Sequence, residues 1–156
     1  MLFRSRSGTF GFGILRNHYI GRTFIEPTQH LRETGVTRKF QIVPAAVAGK
    51  RIVIVDDSIV RGTTMPRVVR ALRGAGAKEI HVRIACPRFE YSCHYGIDTP
   101  TREELIAATM KTEEIRLKIS ADSLEFLPLE ELKKLSPRGG RCYACLDGNY
   151  PIPISE

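Results

Sequence analysis

A chain of 156 residues, 42% hydrophobic and 26% charged, is of single-domain size with apolar material for one core, which excludes the disordered and fibrous classes. Its formal net charge of +7 is spread along the chain without a run of five like charges, a pattern that suits a polyanionic small substrate and gives no nucleic-acid signature. Gly8, Gly11 and Gly13 interrupt the apolar residues behind Arg4 and Arg6, so neither a signal peptide nor a spanning helix is indicated, and a cytoplasmic protein without a membrane partner is expected.

In chain order, a short apolar segment near Phe12–Leu15 leads into a polar stretch from Tyr19 to Lys39 with little periodicity. That stretch is too long for an idle connection and suits a lid that closes over substrate. Phe40–Val43 and, after the Gly49–Lys50 turn, Ile52–Val55 read as strands; the second is β-branched and apolar in succession, the pattern of a strand covered on both faces. Val68, Val69 and Leu72 share one helical face, and Gly74 and Gly76 stop that helix before the strand Ile80–Ala85, which completes a βαβ unit. A helix over Thr101–Met110 follows Pro100 with Glu103 and Glu104 in its first turn, and Thr112–Ile119 continues in helical spacing. Leu124–Leu127 reads as an edge strand and Leu129–Leu135 as a short helix. This alternation predicts an α/β fold, a mainly parallel sheet with flanking helices, over residues 1–135, with a small helical, cysteine-containing tail over 136–156.

The segment Arg51–Thr64, RIVIVDDSIVRGTT, carries the chemistry. Asp56 and Asp57 fall at the carboxyl end of a strand, where open α/β sheets bind ligands. Ser58, Gly62, Thr63 and Thr64 then offer hydroxyls and backbone N–H groups, and Pro66 pre-sets the first turn of a helix whose N-terminus favours an anion. Two carboxylates repel a phosphate, so their partners are ribose hydroxyls or a divalent cation, and the whole reads as a pocket for a ribose 5-phosphate. Neither a nucleotide P-loop nor a dinucleotide fingerprint stands at a strand-to-helix turn. Of the four cysteines, Cys86, Cys93, Cys142 and Cys145, the last two form a Cys-x-x-Cys pair which, with a third thiol about fifty residues away, suggests a metal or iron–sulfur site rather than disulfides. His18, His30, His81 and His94 are scattered and read as surface or core side chains.

At these residues the chain resembles the type I phosphoribosyltransferases, whose motif for 5-phosphoribosyl-1-pyrophosphate (PRPP) is an apolar strand, two acids and a loop ending in Gly-Thr-Thr. The flanks narrow the resemblance to the amidophosphoribosyltransferase family over nearly the whole chain. Ser7–Asn17 resembles the segment before that family's mobile active-site loop, Arg16–Gln29 (RNHYIGRTFIEPTQ) the loop itself, and His94–Thr99 (HYGIDT) and Ala121–Leu127 (ADSLEFL) segments that base-salvage transferases lack. The resemblance implies attack of ammonia on PRPP with loss of pyrophosphate, giving 5-phosphoribosylamine in the first committed step of purine synthesis. It implies Asp56 and Asp57 at the ribose hydroxyls and Mg²⁺, and Ser58, Ile59, Val60, Arg61, Gly62, Thr63 and Thr64 at the 5-phosphate. Lys39 would meet the leaving pyrophosphate, with Arg22 and Tyr19 ordering the loop and Arg32 and Arg38 adding positive charge. In the branch that carries a [4Fe-4S] cluster, the ligands map onto Cys93, Cys142 and Cys145; the fourth has no counterpart here, Cys86 is expected to be a buried inert thiol, and zinc is the chemical rival.

Family members begin with a glutaminase domain that releases ammonia from glutamine. That domain and the first strands of the transferase domain have no counterpart in this sequence, so the expectation is an N-terminally incomplete, inactive, self-associating unit, a homo-oligomer without a nucleic-acid partner. A base-salvage phosphoribosyltransferase and a non-enzymatic PRPP-binding regulator are the alternatives.

Overall fold

The computed structural model describes residues 3–4, 10–16, 40–99, 101–135 and 140–152. The predicted lid, with Tyr19, Arg22, Arg32, Arg38 and Lys39, lies outside the described residues, as do His18, His30 and Pro100. The fold centres on a three-stranded parallel sheet of β5 (Arg51–Asp56), β6 (Glu79–Ile84) and β7 (Ser123–Phe126), in the order β5-β6-β7. Ile52 pairs in register with Ile80, and Val82 with Leu124. Two antiparallel pairs precede it: β1 (Phe3–Arg4) with β2 (Phe10–Gly11), and β3 (Ile14–Arg16) with β4 (Phe40–Ile42).

One sheet face makes the core. Ile52 and Ile54 of β5, Ile80, Val82 and Ile84 of β6 and Leu124 of β7 point to it. Against them pack Met65, Val68, Val69 and Leu72 of α2 (Met65–Gly74), and Ile115 and Ile119 of α4 (Thr112–Ile119), all buried. A short helix α1 (Pro44–Val47) adds Val47 to the same core. Fully burying side chains of this size contributes roughly 1.5–3 kcal/mol each, which makes the apolar face the main source of cohesion.

The expectation of a β5 covered on both faces is corrected: Val53 and Val55 are 51% and 60% exposed. On the same face β6 and β7 present His81, Arg83, Ser123 and Glu125 rather than apolar side chains. His81 bridges Glu79 Oε2 (3.1 Å) and Ser123 Oγ (2.9 Å), so polar side chains link the two strands there.

The predicted helix Thr101–Met110 is also corrected. It is split into a 3₁₀ turn, Arg102–Glu104, and a helix α3, Ile106–Thr109, with Leu105 extended between them. Leu105 is fully buried, and the Ile106 N–H is taken by the Val60 carbonyl at 2.9 Å instead of a helical partner. A long-range bond and a buried side chain outweigh local helix propensity at this point. Beyond β7 lie α5 (Leu129–Lys134) and α6 (Ala144–Asp147).

Candidate active site and cysteine cavity

Strand β5 delivers Asp56 at its last residue, and the chain then turns through residues 57–64 into α2. Asp56, Ser58, Ile59, Val60, Arg61, Gly62, Thr63, Thr64 and Met65 line one open cavity of about 180 Å³. Asp57 stands beside it, where its carboxylate accepts the Ser58 hydroxyl at 3.1 Å. Ile59 is buried in the core, so it anchors the loop and leaves recognition to backbone and to the hydroxyls of Ser58, Thr63 and Thr64.

The start of α2 has the polarity that favours an anion. Thr64 makes no side-chain capping bond, Pro66 occupies the first turn, and no acidic residue stands there. Backbone N–H groups of a helix start point outward with the positive end of its dipole. Gly62 has φ +67°, a left-handed conformation in which a side chain is strained. A Cβ there would also lie 2.3 Å from Ile106 Cδ1, so α3 presses directly against the back of the loop. From the same side Glu104 pairs with Arg61 at 3.2 Å.

Burial raises the Asp56 carboxyl above its ordinary value; the Asp57 N–H, donating to Asp56 Oδ1 at 3.1 Å, partly offsets this, and the neighbouring Asp57 charge adds to the rise. Hydroxyl donors or a divalent cation placed on Asp56 would relieve that cost, which fits the donor chemistry of a ribose or of Mg²⁺.

A second cavity, of about 220 Å³, is lined by Cys93, Tyr95, Gly96, Ile97, Cys142, Ala144, Cys145 and Tyr150. The three thiols of the expected cluster thus line one cavity, although among the described residues no three His, Cys, Asp or Glu side chains converge as a closed metal site. The Tyr95 N–H donates to Cys93 Sγ at 3.5 Å and, with the N–H groups of Ile97 and Gly96, holds that thiol below its ordinary pKa. A thiol poised to ionise is what a soft metal centre requires. Burial raises Cys145, with the charges of Cys93 and Cys142 adding to it, and pushes Cys86 up to about 11. Cys86, expected to be a buried inert thiol, is half-buried and packs against the edge of the main core.

The tail is fastened to this region. Cys145 O accepts N–H bonds from Glu90 and Tyr91 at 3.2 Å each, Tyr150 Oη donates to Ser92 O at 2.7 Å, and Tyr95 Oη donates to Ile152 O at 2.9 Å. Gly148, at φ +76°, ends α6 so close to the Tyr91 ring that a Cβ would meet it at 2.9 Å. The helix α6 falls in the tail expected to be helical; sequence reading missed the N–H groups around Cys93 and the backing of the loop by α3. Gly96 in the Tyr-Gly-Ile run was the one local sign of a turn that could aim those groups.

An acid-ended parallel strand feeding a hydroxyl-rich loop and an anion-binding helix start is the arrangement of a phosphoribosyltransferase. Residues 18–111 match the phosphoribosyl transferase domain model, and the chain belongs to that family. Its relatives are more specific. The chloroplastic amidophosphoribosyltransferase of Glycine max is 55% identical over 149 residues, covering 94% of this chain and 26% of that protein. The amidophosphoribosyltransferase of Bacillus subtilis (strain 168) is 52% identical over 153 residues, covering 94% and 32%. The solved structure of glutamine PRPP amidotransferase from B. subtilis, complexed with ADP and GMP, superposes with a TM-score of 0.80 at 50% identity, covering 94% of this chain and 33% of that one. The chain therefore spans about a quarter to a third of the length of these relatives and corresponds to their phosphoribosyltransferase portion.

Proposed function

We propose that this chain supplies the PRPP-binding part of an amidophosphoribosyltransferase, in which ammonia derived from glutamine displaces pyrophosphate from PRPP to give 5-phosphoribosylamine for purine synthesis. The observation that carries this reading is the single cavity joining Asp56 to the Ser58–Thr64 loop and the start of α2. The 5-phosphate sits on the loop N–H groups and the hydroxyls of Ser58, Thr63 and Thr64. Asp56 and Asp57 take the ribose hydroxyls and orient C1 for in-line attack. The C1–O bond to pyrophosphate breaks as the C1–N bond forms, with inversion, and the nitrogen loses one proton to solvent or to the departing pyrophosphate. Positive charge grows on the sugar, so positioning and neutralisation of the leaving group supply the catalysis and no protein nucleophile is needed.

Asp56 and Asp57 would hold Mg²⁺, which when bound offsets pyrophosphate charge. Lys39, Arg22 and Tyr19 are proposed for the leaving group and for ordering the lid, on their match to the family's mobile loop alone. Cys93, Cys142 and Cys145 would hold three corners of an iron–sulfur cluster, which when bound would staple the tail to the 87–99 loop. We further propose a homo-oligomer in a reducing, cytoplasm-like compartment, in line with four unpaired cysteines.

Calorimetric titration of PRPP with Mg²⁺ tests the site, comparing the chain with an Asp56→Asn/Asp57→Asn variant that keeps shape and removes charge. Binding by the wild type that is lost in the variant supports the reading. Absence of binding by the folded wild type, or equal binding by both, overturns it. In a parallel assay with PRPP and ammonia, the chain alone is expected to show little or no turnover.

A further inference from the structure

Outside the two cavities, Arg88 makes four hydrogen bonds to four different residues. Its Nη2 donates to the carbonyls of Ala107 (2.6 Å) and Met110 (2.9 Å), its Nη1 to Thr112 Oγ1 (3.0 Å) and its Nε to Glu90 Oε1 (2.6 Å). The planar guanidinium thereby ties the C-terminal end of α3 to the first residue of α4, where a lysine ammonium could not reach all four acceptors in one plane. The opposite end of α3 is the part that touches the phosphate loop: Ile106 N–H holds Val60 O at 2.9 Å, and Ile106 Cδ1 fills the space beneath Gly62. A helix of one turn has little rigidity of its own, so its placement is set by what grips its ends.

We infer that Arg88 is a positioning residue for the Ser58–Thr64 loop, acting through α3: it fixes the helix whose first residue holds the loop in its binding shape. Loss of Arg88 leaves Ala107 O and Met110 O without their donor and lets α3 pivot about Leu105. Ile106 then slackens against Gly62, and the loop N–H groups lose the common aim that an anion needs. The consequence for PRPP rests on the function proposed above, while the mechanical link from Arg88 to the loop does not.

The test uses the whole chain with Arg88→Lys, and Arg116→Gln as comparison, because Arg116 also binds a backbone carbonyl, Ala121 O at 2.7 Å, but on the far side of α4. Hydrogen exchange is followed at the Ile106 amide and across residues 58–64, and Mg²⁺–PRPP affinity is measured well below the melting temperature. Arg88→Lys is expected to speed exchange at Ile106 and in the loop, with β5–β7 unchanged, and to weaken PRPP about tenfold, the worth of one charge-assisted hydrogen bond. Arg116→Gln lowers the melting temperature and moves neither readout. Unchanged loop exchange in Arg88→Lys, acceleration spread evenly over the sheet, or a loosened loop with unaltered PRPP affinity overturns the inference. Should the wild type itself bind no PRPP, the proposed function falls and the exchange comparison still decides the role of Arg88. If Arg88→Lys does not fold, Thr112→Val, which removes a single acceptor, is read by the same two measurements.

Discussion

Gly62→Ala isolates the contact on which the Ser58–Thr64 loop rests. Two costs add. An alanine at a left-handed φ costs about 1–2 kcal/mol, and forcing a methyl into occupied space costs about 1–3 kcal/mol, so the single variant should lose about 2–5 kcal/mol. That is a large share of a typical domain's roughly 5–15 kcal/mol. The steric part has one source: the new Cβ meets Ile106 Cδ1 at 2.3 Å, and the next atoms, Cγ1 and Cβ of the same side chain, at 3.5 and 3.6 Å. Ile106→Val removes Cδ1 for about 0.5–1.5 kcal/mol of its own. The double variant should then lose only the backbone cost plus the valine cost, about 1.5–3.5 kcal/mol, less than the sum of the singles by the steric term of about 1–3 kcal/mol. Urea unfolding of the four proteins, with slopes checked for equality, gives the cycle. Additivity within about 0.5 kcal/mol would refute the claim that Ile106 backs the loop.

Opposite pH behaviour is expected of two aspartates. Asp56 has a raised folded value, so the stabilisation it gives is complete below the ordinary carboxyl range and lost as pH rises through that value. Asp56→Asn should therefore melt higher than wild type at pH 7 while losing Mg²⁺–PRPP binding, and its advantage should shrink on acidification; equal melting at both pH values would count against the burial argument. Asp122 is held below its ordinary value, first by the Ile80 N–H and then by Arg73, so its contribution is present above the ordinary carboxyl range and lost as pH falls through the folded value. Asp122→Ala should lose about 1–2 kcal/mol at pH 7, discounted because the pair is partly exposed, and the deficit in urea midpoint should shrink as pH falls below the ordinary carboxyl range. Among the thiols, Cys93 should react with iodoacetamide ahead of Cys86 and Cys145 in metal-free protein, as peptide mass mapping would show. Loading the cavity with iron and sulfide, or zinc, should protect Cys93, Cys142 and Cys145 and leave Cys86 unaltered, and protection of Cys86 instead would reassign the ligand set.

What could be read in the sequence was what is local. Strand β5, its terminal acids, the hydroxyl loop and the helix after Pro66 are contiguous, and each residue type declares its part without help from elsewhere. The break at Leu105 could not be read, because it is imposed by Val60, Gly62 and Arg88, which are distant in sequence. The open outer face of β5 was misjudged for a related reason: β-branched succession says that a strand can be covered on both faces, and only the rest of the fold says whether it is. The sharing of one cavity by Cys93, Cys142 and Cys145 came from the family resemblance, since one Cys-x-x-Cys names no third partner.

The fastening of the tail has a bearing on how the chain is made. Tyr95 and Ser92 find their tail partners 57 and 58 residues later. At ribosomal rates of roughly 5–20 residues per second, that interval lasts roughly 3–11 s. Throughout it Cys93 has been synthesised while the segment that closes over it has not. A nascent chain that has not yet reached residue 142 therefore presents Cys93 without the tail that completes its cavity.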